Sequence, residues 1–164
     1  MHANWQVVGR FERQTPILNS KIHAVIINPY WPSPPPTTEK DIVPLMRKDP
    51  TYLAKNSIRL LDNKGNEVSP ESIDWNAEKA PNLMFRQDPG KNNAMASTKI
   101  NFHNPYAVYM HDTPERHLCA KSFRALSHGC MRVEEPRKLA QILLAEDKGW
   151  SSSKVNSMFG GYSN

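Results

Sequence analysis

The chain has only two cysteines, Cys119 and Cys130, among 164 residues. That is too few for a disulfide framework, and neither lies in a Cys-x-x-Cys or His/Cys spacing suited to zinc. No apolar run approaches the roughly 18 residues of a membrane span, and Met1-His2-Ala3-Asn4-Trp5 lacks the basic-then-apolar pattern of an export signal. There is no internal repeat and no Lys/Arg cluster as dense as a nucleic-acid groove requires. The 21 basic and 16 acidic residues give a net charge of +5, a modest bias that suits an anionic polymer such as the cell wall and equally an ordinary solvated surface. The length supports one domain with a real core and is short for two.

What is present is concentrated between Met110 and Val133, which includes Met-His-Asp-Thr-Pro and then Ala-Leu-Ser-His-Gly-Cys-Met-Arg-Val. A lone cysteine is more often a small buried hydrophobe than a nucleophile, and a lone histidine is more often a satisfied interior group than a base. Together they read differently. Cys130 follows a glycine and lies close to His128, while His111 waits upstream at the end of an apolar run. A thiol with an imidazole in reach is what acyl transfer through a thioester needs, because the imidazole takes the proton and leaves a nucleophilic thiolate.

The block Ser127-His128-Gly129-Cys130, an apolar residue and Arg132, preceded at a loop's length by His111-Asp112-Thr113-Pro114, resembles the active-site motif of the L,D-transpeptidases, the YkuD-type catalytic domain of peptidoglycan enzymes. Val8-Gly9-Arg10 with Arg13-Gln14-Thr15-Pro16, Asn28-Pro29-Tyr30-Trp31, Phe85-Arg86-Gln87-Asp88-Pro89-Gly90 and Asn104-Pro105-Tyr106-Ala107 are similar to successive blocks of that family's periplasmic Gram-negative branch. The resemblance covers most of the chain.

The resemblance implies that Cys130 is the nucleophile and His111 the general base, oriented by the backbone carbonyl of Asp112. His128 would sit behind the cysteine as a structural or oxyanion-side partner, with the N–H groups of Gly129 and Cys130 facing the developing oxyanion. Tyr109 matches an aromatic hydroxyl beside the nucleophile, and Ser127 joins it and Arg132 on the substrate-binding side. Arg132 stands where many relatives carry Asn, although Arg is usual in this branch, and its guanidinium could grip a substrate carboxylate.

The implied reaction is a 3→3 peptidoglycan cross-link made through a thioester acyl-enzyme. No metal or organic cofactor is implied. Peptidoglycan stem peptides are the implied partners, carbapenems the implied covalent inhibitors, and the periplasm the implied location. The same cysteine would also serve an L,D-carboxypeptidase or endopeptidase, or an enzyme attaching a protein to the wall. A non-catalytic wall-binding module and a papain-like protease fit less well, the first because His111, Cys130 and Arg132 are intact, the second because the surrounding blocks differ.

The pattern along the chain predicts a mainly β fold with some α, and the resemblance makes it a YkuD-like β-sandwich with C-terminal helices, a single catalytic domain over 1–164. Trp5–Val8 and Ile22–Ile27 read as strands of one sheet, and the continuous apolar run Ala24–Ile27 as buried on both faces. Pro32–Thr38 reads as extended linker. A helix begins at Asp41, with Pro44 in its first turn, or at Thr38, with Pro44 kinking it. Further short pieces are a helix over Pro50–Lys55, a strand over Ile58–Leu61, and a turn at Asn63-Lys64-Gly65-Asn66 that folds the strand back near Val68. Residues 41–82 look like an insertion that caps the active site, with Ile73 and Trp75 in a small core. The catalytic sheet is expected to resume at Met84–Gln87, turn at Asp88-Pro89-Gly90, and continue through Ile100–Phe102 and Val108–Met110. An amphipathic helix containing Leu139, Ile142 and Leu143 runs from Pro136 to near Gly149, and Ser151–Ser153 cap a last one through Val155 and Met158.

Two features depart from the family pattern. The resemblance leads to the expectation of flanking strands before the Val-Gly block and after the last helix. A chain without them is expected to have an open sheet edge and either to self-associate or exchange segments with a copy of itself or to be less stable and less active than a longer form, unless Ala3–Gln6 and the tail from Gly160 complete the sheet. Cys119 stands where relatives tend to have Phe and reads as a buried substitute.

Overall fold

The computed structural model describes residues 5–160; Ala3, Asn4 and the tail beyond Gly160, expected as completing strands, lie outside them. In chain order the strands are β1 Gln6–Gly9, β2 Ile22–Ile27, β3 Trp31–Pro32, β4 Ile58–Leu61, β5 Glu67–Val68, β6 Met84–Gln87, β7 Thr98–Phe102, β8 Met110–His111, β9 Ala125–Ser127 and β10 Met131–Val133. The α-helices are α1 Pro35–Thr37, α2 Val43–Lys48, α3 Tyr52–Lys55, α4 Pro136–Lys148 and α5 Ser152–Met158. The mainly β class with α, expected of a YkuD-like fold, is what the chain adopts.

Two compact units divide the chain, one of residues up to Pro29 with those from Ala94 onward, the other Tyr30–Asn93. The first is built on a six-stranded sheet in the order β2-β7-β8-β10-β1-β9. Val25 and Ile27 of β2 pack against Ala140, Val155 and Phe159 of the two C-terminal helices. Pro136 opens α4, Gly149 ends it in the left-handed conformation (φ 65°), and the Ser151 hydroxyl caps α5 by accepting the Lys154 N–H. These helices match the sequence reading. The burial of β2 does not: it is an edge strand, and Ile26 is 38% exposed. A continuous apolar run cannot by itself distinguish a central strand from an edge strand covered on one face.

The second unit holds the sheet β3-β6-β4-β5 over a core of Ile42, Met46, Leu53, Ile58, Leu60 and Phe85, against which Ile73 and Trp75 pack. Met84–Gln87 therefore does not continue the sheet that carries His111; it pairs with β4 and β3. Nor is Pro32–Thr38 a linker. Pro32 lies in the edge strand β3, where a missing N–H is tolerated, and Pro35 and Pro36 occupy the first turn of α1, where it is again harmless. The helix does not start at Asp41: helical winding runs from Pro35, with Thr38–Ile42 as a π-turn leading into α2. That wider winding occurs just before Pro44, which has no N–H to continue the ladder. The β4–β5 hairpin is as expected, with Gly65 at φ 85° and the Asp62 carboxylate accepting the Lys64 and Asn66 N–H groups.

Candidate active site

The site lies in the first unit, where β8 and β10 run parallel with Met110 opposite Met131 and His111 opposite Arg132. Cys130 stands immediately before β10, and the Met131 N–H donates to the Tyr109 carbonyl at 3.0 Å. This register brings Cys130 beside Tyr109, whose backbone and hydroxyl both hydrogen-bond to the thiol. Burial pushes the thiol's pKa above its usual 9.0, while those hydrogen bonds and the nearby Lys99 and Arg132 charges pull it down.

His111 ends a strand, as the sequence suggested, and is buried. Its Nδ1 lies 2.5 Å from the Asp112 carbonyl oxygen. A carbonyl can only accept, so the neutral ring carries its proton on Nδ1 and presents Nε2 as the basic nitrogen. Desolvation, with smaller contributions from Arg132 and Lys99, lowers its pKa from 6.5 to about 4. Neutral imidazole is the form that can accept a proton.

The Asp112 carboxylate has a role the sequence did not reveal. Fully buried, it accepts the Ser97 N–H and hydroxyl, the Thr113 N–H and the Arg116 guanidinium, at 2.6 to 3.2 Å. Arg137 of α4 also donates to the Ser97 hydroxyl. The peptide segment whose carbonyl holds His111 is thus anchored from behind. Nothing local to the His-Asp-Thr-Pro block announces Ser97 or Arg137.

The nucleophile's turn is braced equally tightly. Ser127 is buried, its hydroxyl donating to the Cys130 carbonyl at 2.6 Å and accepting the Gly129 N–H at 3.1 Å. Ser127 therefore lies inside the turn, and the Gly129 N–H expected to face an oxyanion is already engaged there. The Cys130 N–H makes no hydrogen bond among the described residues. Gly129 adopts φ 120°, a conformation that a side chain would strain. His128 is exposed at the tip of the turn. Across the sheet, a Cβ on Gly9 would meet the Arg13 carbonyl oxygen at 2.1 Å, and this close approach explains the Val-Gly-Arg block.

Arg132 is mostly buried and ion-paired with Glu115. The sequence reading missed Glu115, and also Lys99, which lies opposite His111 on β7. Cys119 is buried in the 3₁₀ turn Arg116–Ala120, as expected.

The family model of the L,D-transpeptidase catalytic domain, YkuD, matches residues 4–153. A Haemophilus influenzae protein named "Putative L,D-transpeptidase" is 41% identical over 154 residues, covering 93% of this chain and 31% of that protein. The chain thus spans about a third of that relative's length.

Proposed function

The chain belongs to the L,D-transpeptidase (YkuD) catalytic-domain family, and from that premise we propose that it forms 3→3 peptidoglycan cross-links through a thioester on Cys130. The observation that supports this reading most is the pairing of two neighbouring parallel strands: one begins after a thiol hydrogen-bonded by Tyr109, the other ends at a histidine whose Nε2 is left basic.

In this reading the Cys130 sulfur attacks the carbonyl carbon of the amide before the terminal D-alanine of a tetrapeptide stem. Its proton passes to His111, and the oxyanion is met by the Cys130 N–H. His111 then protonates the leaving amine, D-alanine departs, and the stem remains as a thioester. The side-chain amine of a second stem attacks, loses its proton through His111, and releases the thiol. With the thiol's pKa raised and the imidazole's lowered, the resting pair is neutral, and proton transfer accompanies attack. Arg132 takes a stem carboxylate, Tyr109 steadies the sulfur, and Ser127, Gly129 and His128 shape the nucleophile's turn.

The remaining expectations belong to the same proposal. The whole chain works as one catalytic domain in the periplasm, with residues 41–82 as an insertion in it, carbapenems acylate Cys130, and the chain self-associates. Mass spectrometry of muropeptides tests the acyl acceptor. Cross-linked dimers support transpeptidation, whereas shortened monomers alone favour the carboxypeptidase alternative. Light scattering tests the association.

A further inference from the structure

Cross-strand pairing sets Lys99 opposite His111 and His111 opposite Arg132. Residues paired in this way share a face of the sheet, so two cations flank the imidazole. They are not equivalent. Arg132 is neutralised by the Glu115 carboxylate, whereas Lys99, itself half-buried, forms no ion pair among the described residues. Its ammonium instead lies 4.1 Å from the centroid of the Tyr109 ring. That tyrosine hydrogen-bonds to the Cys130 thiol, and its ring meets the His111 ring edge-on at 5.5 Å.

Taking an ammonium out of water without a carboxylate is costly, and the ring face recovers only part of that cost. The anion that would complete the pairing is one that forms only during the reaction. We propose that Lys99 is a positioning residue for the nucleophile: held on the Tyr109 ring, its charge stabilises the Cys130 thiolate as it forms. The proposal deepens the thioester reading and rests on Cys130 being the nucleophile.

The charges around the site agree with this role. Tyr109, next to β8, Lys99 of β7 and Arg132 of β10 with its Glu115 partner lie around the sulfur, and Lys99 and Arg132 also act on His111. Asp112, the acid next to His111, is committed to Ser97, Thr113 and Arg116. Burial lowers the Lys99 pKa, and the Cys130 sulfur raises it.

Alkylation of the full chain with iodoacetamide across the pH range, with peptide mass spectrometry separating Cys130 from the buried Cys119, reads the thiolate directly. Lys99→Met should move the pH midpoint for Cys130 up by about one pH unit and slow alkylation near neutrality about tenfold, the scale of losing one nearby opposite charge. Lys99→Arg should restore most of the reactivity. Lys99→Gln gives the same readout should Met impair folding. An unchanged midpoint in a folded neutral variant overturns the proposal. The assay needs no stem peptide, so a shifted midpoint without cross-linked product supports the Lys99 role while removing the transpeptidase reading, and normal cross-linking with an unchanged midpoint does the reverse.

Discussion

The Thr15 hydroxyl donates to the Gly129 carbonyl at 2.7 Å and accepts the Gly9 N–H at 2.9 Å, joining segments 114 positions apart. It ties the N-terminal strand to the turn that carries the nucleophile. Thr15→Val keeps the shape and leaves both backbone groups unpaired, which should cost about 2 kcal/mol and lower the melting temperature by several degrees. Cys130 alkylation should slow as the turn loosens. Thermal unfolding within a degree of wild type would show that Thr15 is dispensable.

His111 makes stability depend on pH with a definite sign. Its pKa is about 4 in the fold against 6.5 when unperturbed, so between these values the unfolded chain binds a proton that the folded chain refuses. Stability from this group is complete above 6.5 and is lost as pH falls toward 4, by at most on the order of 3 kcal/mol. His111→Gln should flatten that part of the profile. Urea unfolding at pH 4.5 and 7 measures it, and equal pH dependence in both proteins would mean that His111 is not held neutral.

The two histidines of the motif should differ in kinetics. His111→Ala removes the proposed base and should reduce turnover on a tetrapeptide stem by roughly a hundredfold or more. His128, exposed at the turn, should matter less. A larger loss for His128→Ala would reverse the assignment.

Arg132→Lys keeps the charge and loses the planar fork, so the apparent KM for carboxylate-bearing stems should rise more than kcat falls. Glu115→Gln releases the guanidinium from its ion pair and should lower that KM several-fold. Equal effects of either substitution on substrates with and without the carboxylate would rule out this role.

Much of the site was legible because its main residues lie in two short motifs, His111 to Pro114 and Ser127 to Arg132, and the strand that leads to His111 follows from local pattern. Lys99 and Ser97 were not legible. They reach the site only through the pairing of β7 with β8 and the return of the chain around Asp112, and no spacing rule spans such a fold. The terminal helices were read correctly because apolar periodicity and caps agree there. Met84–Gln87 was assigned to the wrong sheet, since alternation predicts a strand but not its partner. Pro32–Thr38 was read as linker because proline counts against regular structure, although an edge strand and a first helical turn both accept it.

Mass spectrometry of muropeptides incubated with the wild-type chain and with Cys130→Ala tests the central claim most directly. The account predicts 3→3 dimers and released D-alanine from the wild type, with neither from a folded Cys130→Ala protein. Cross-linked product from Cys130→Ala, or no cross-linked product from the wild type, would contradict it.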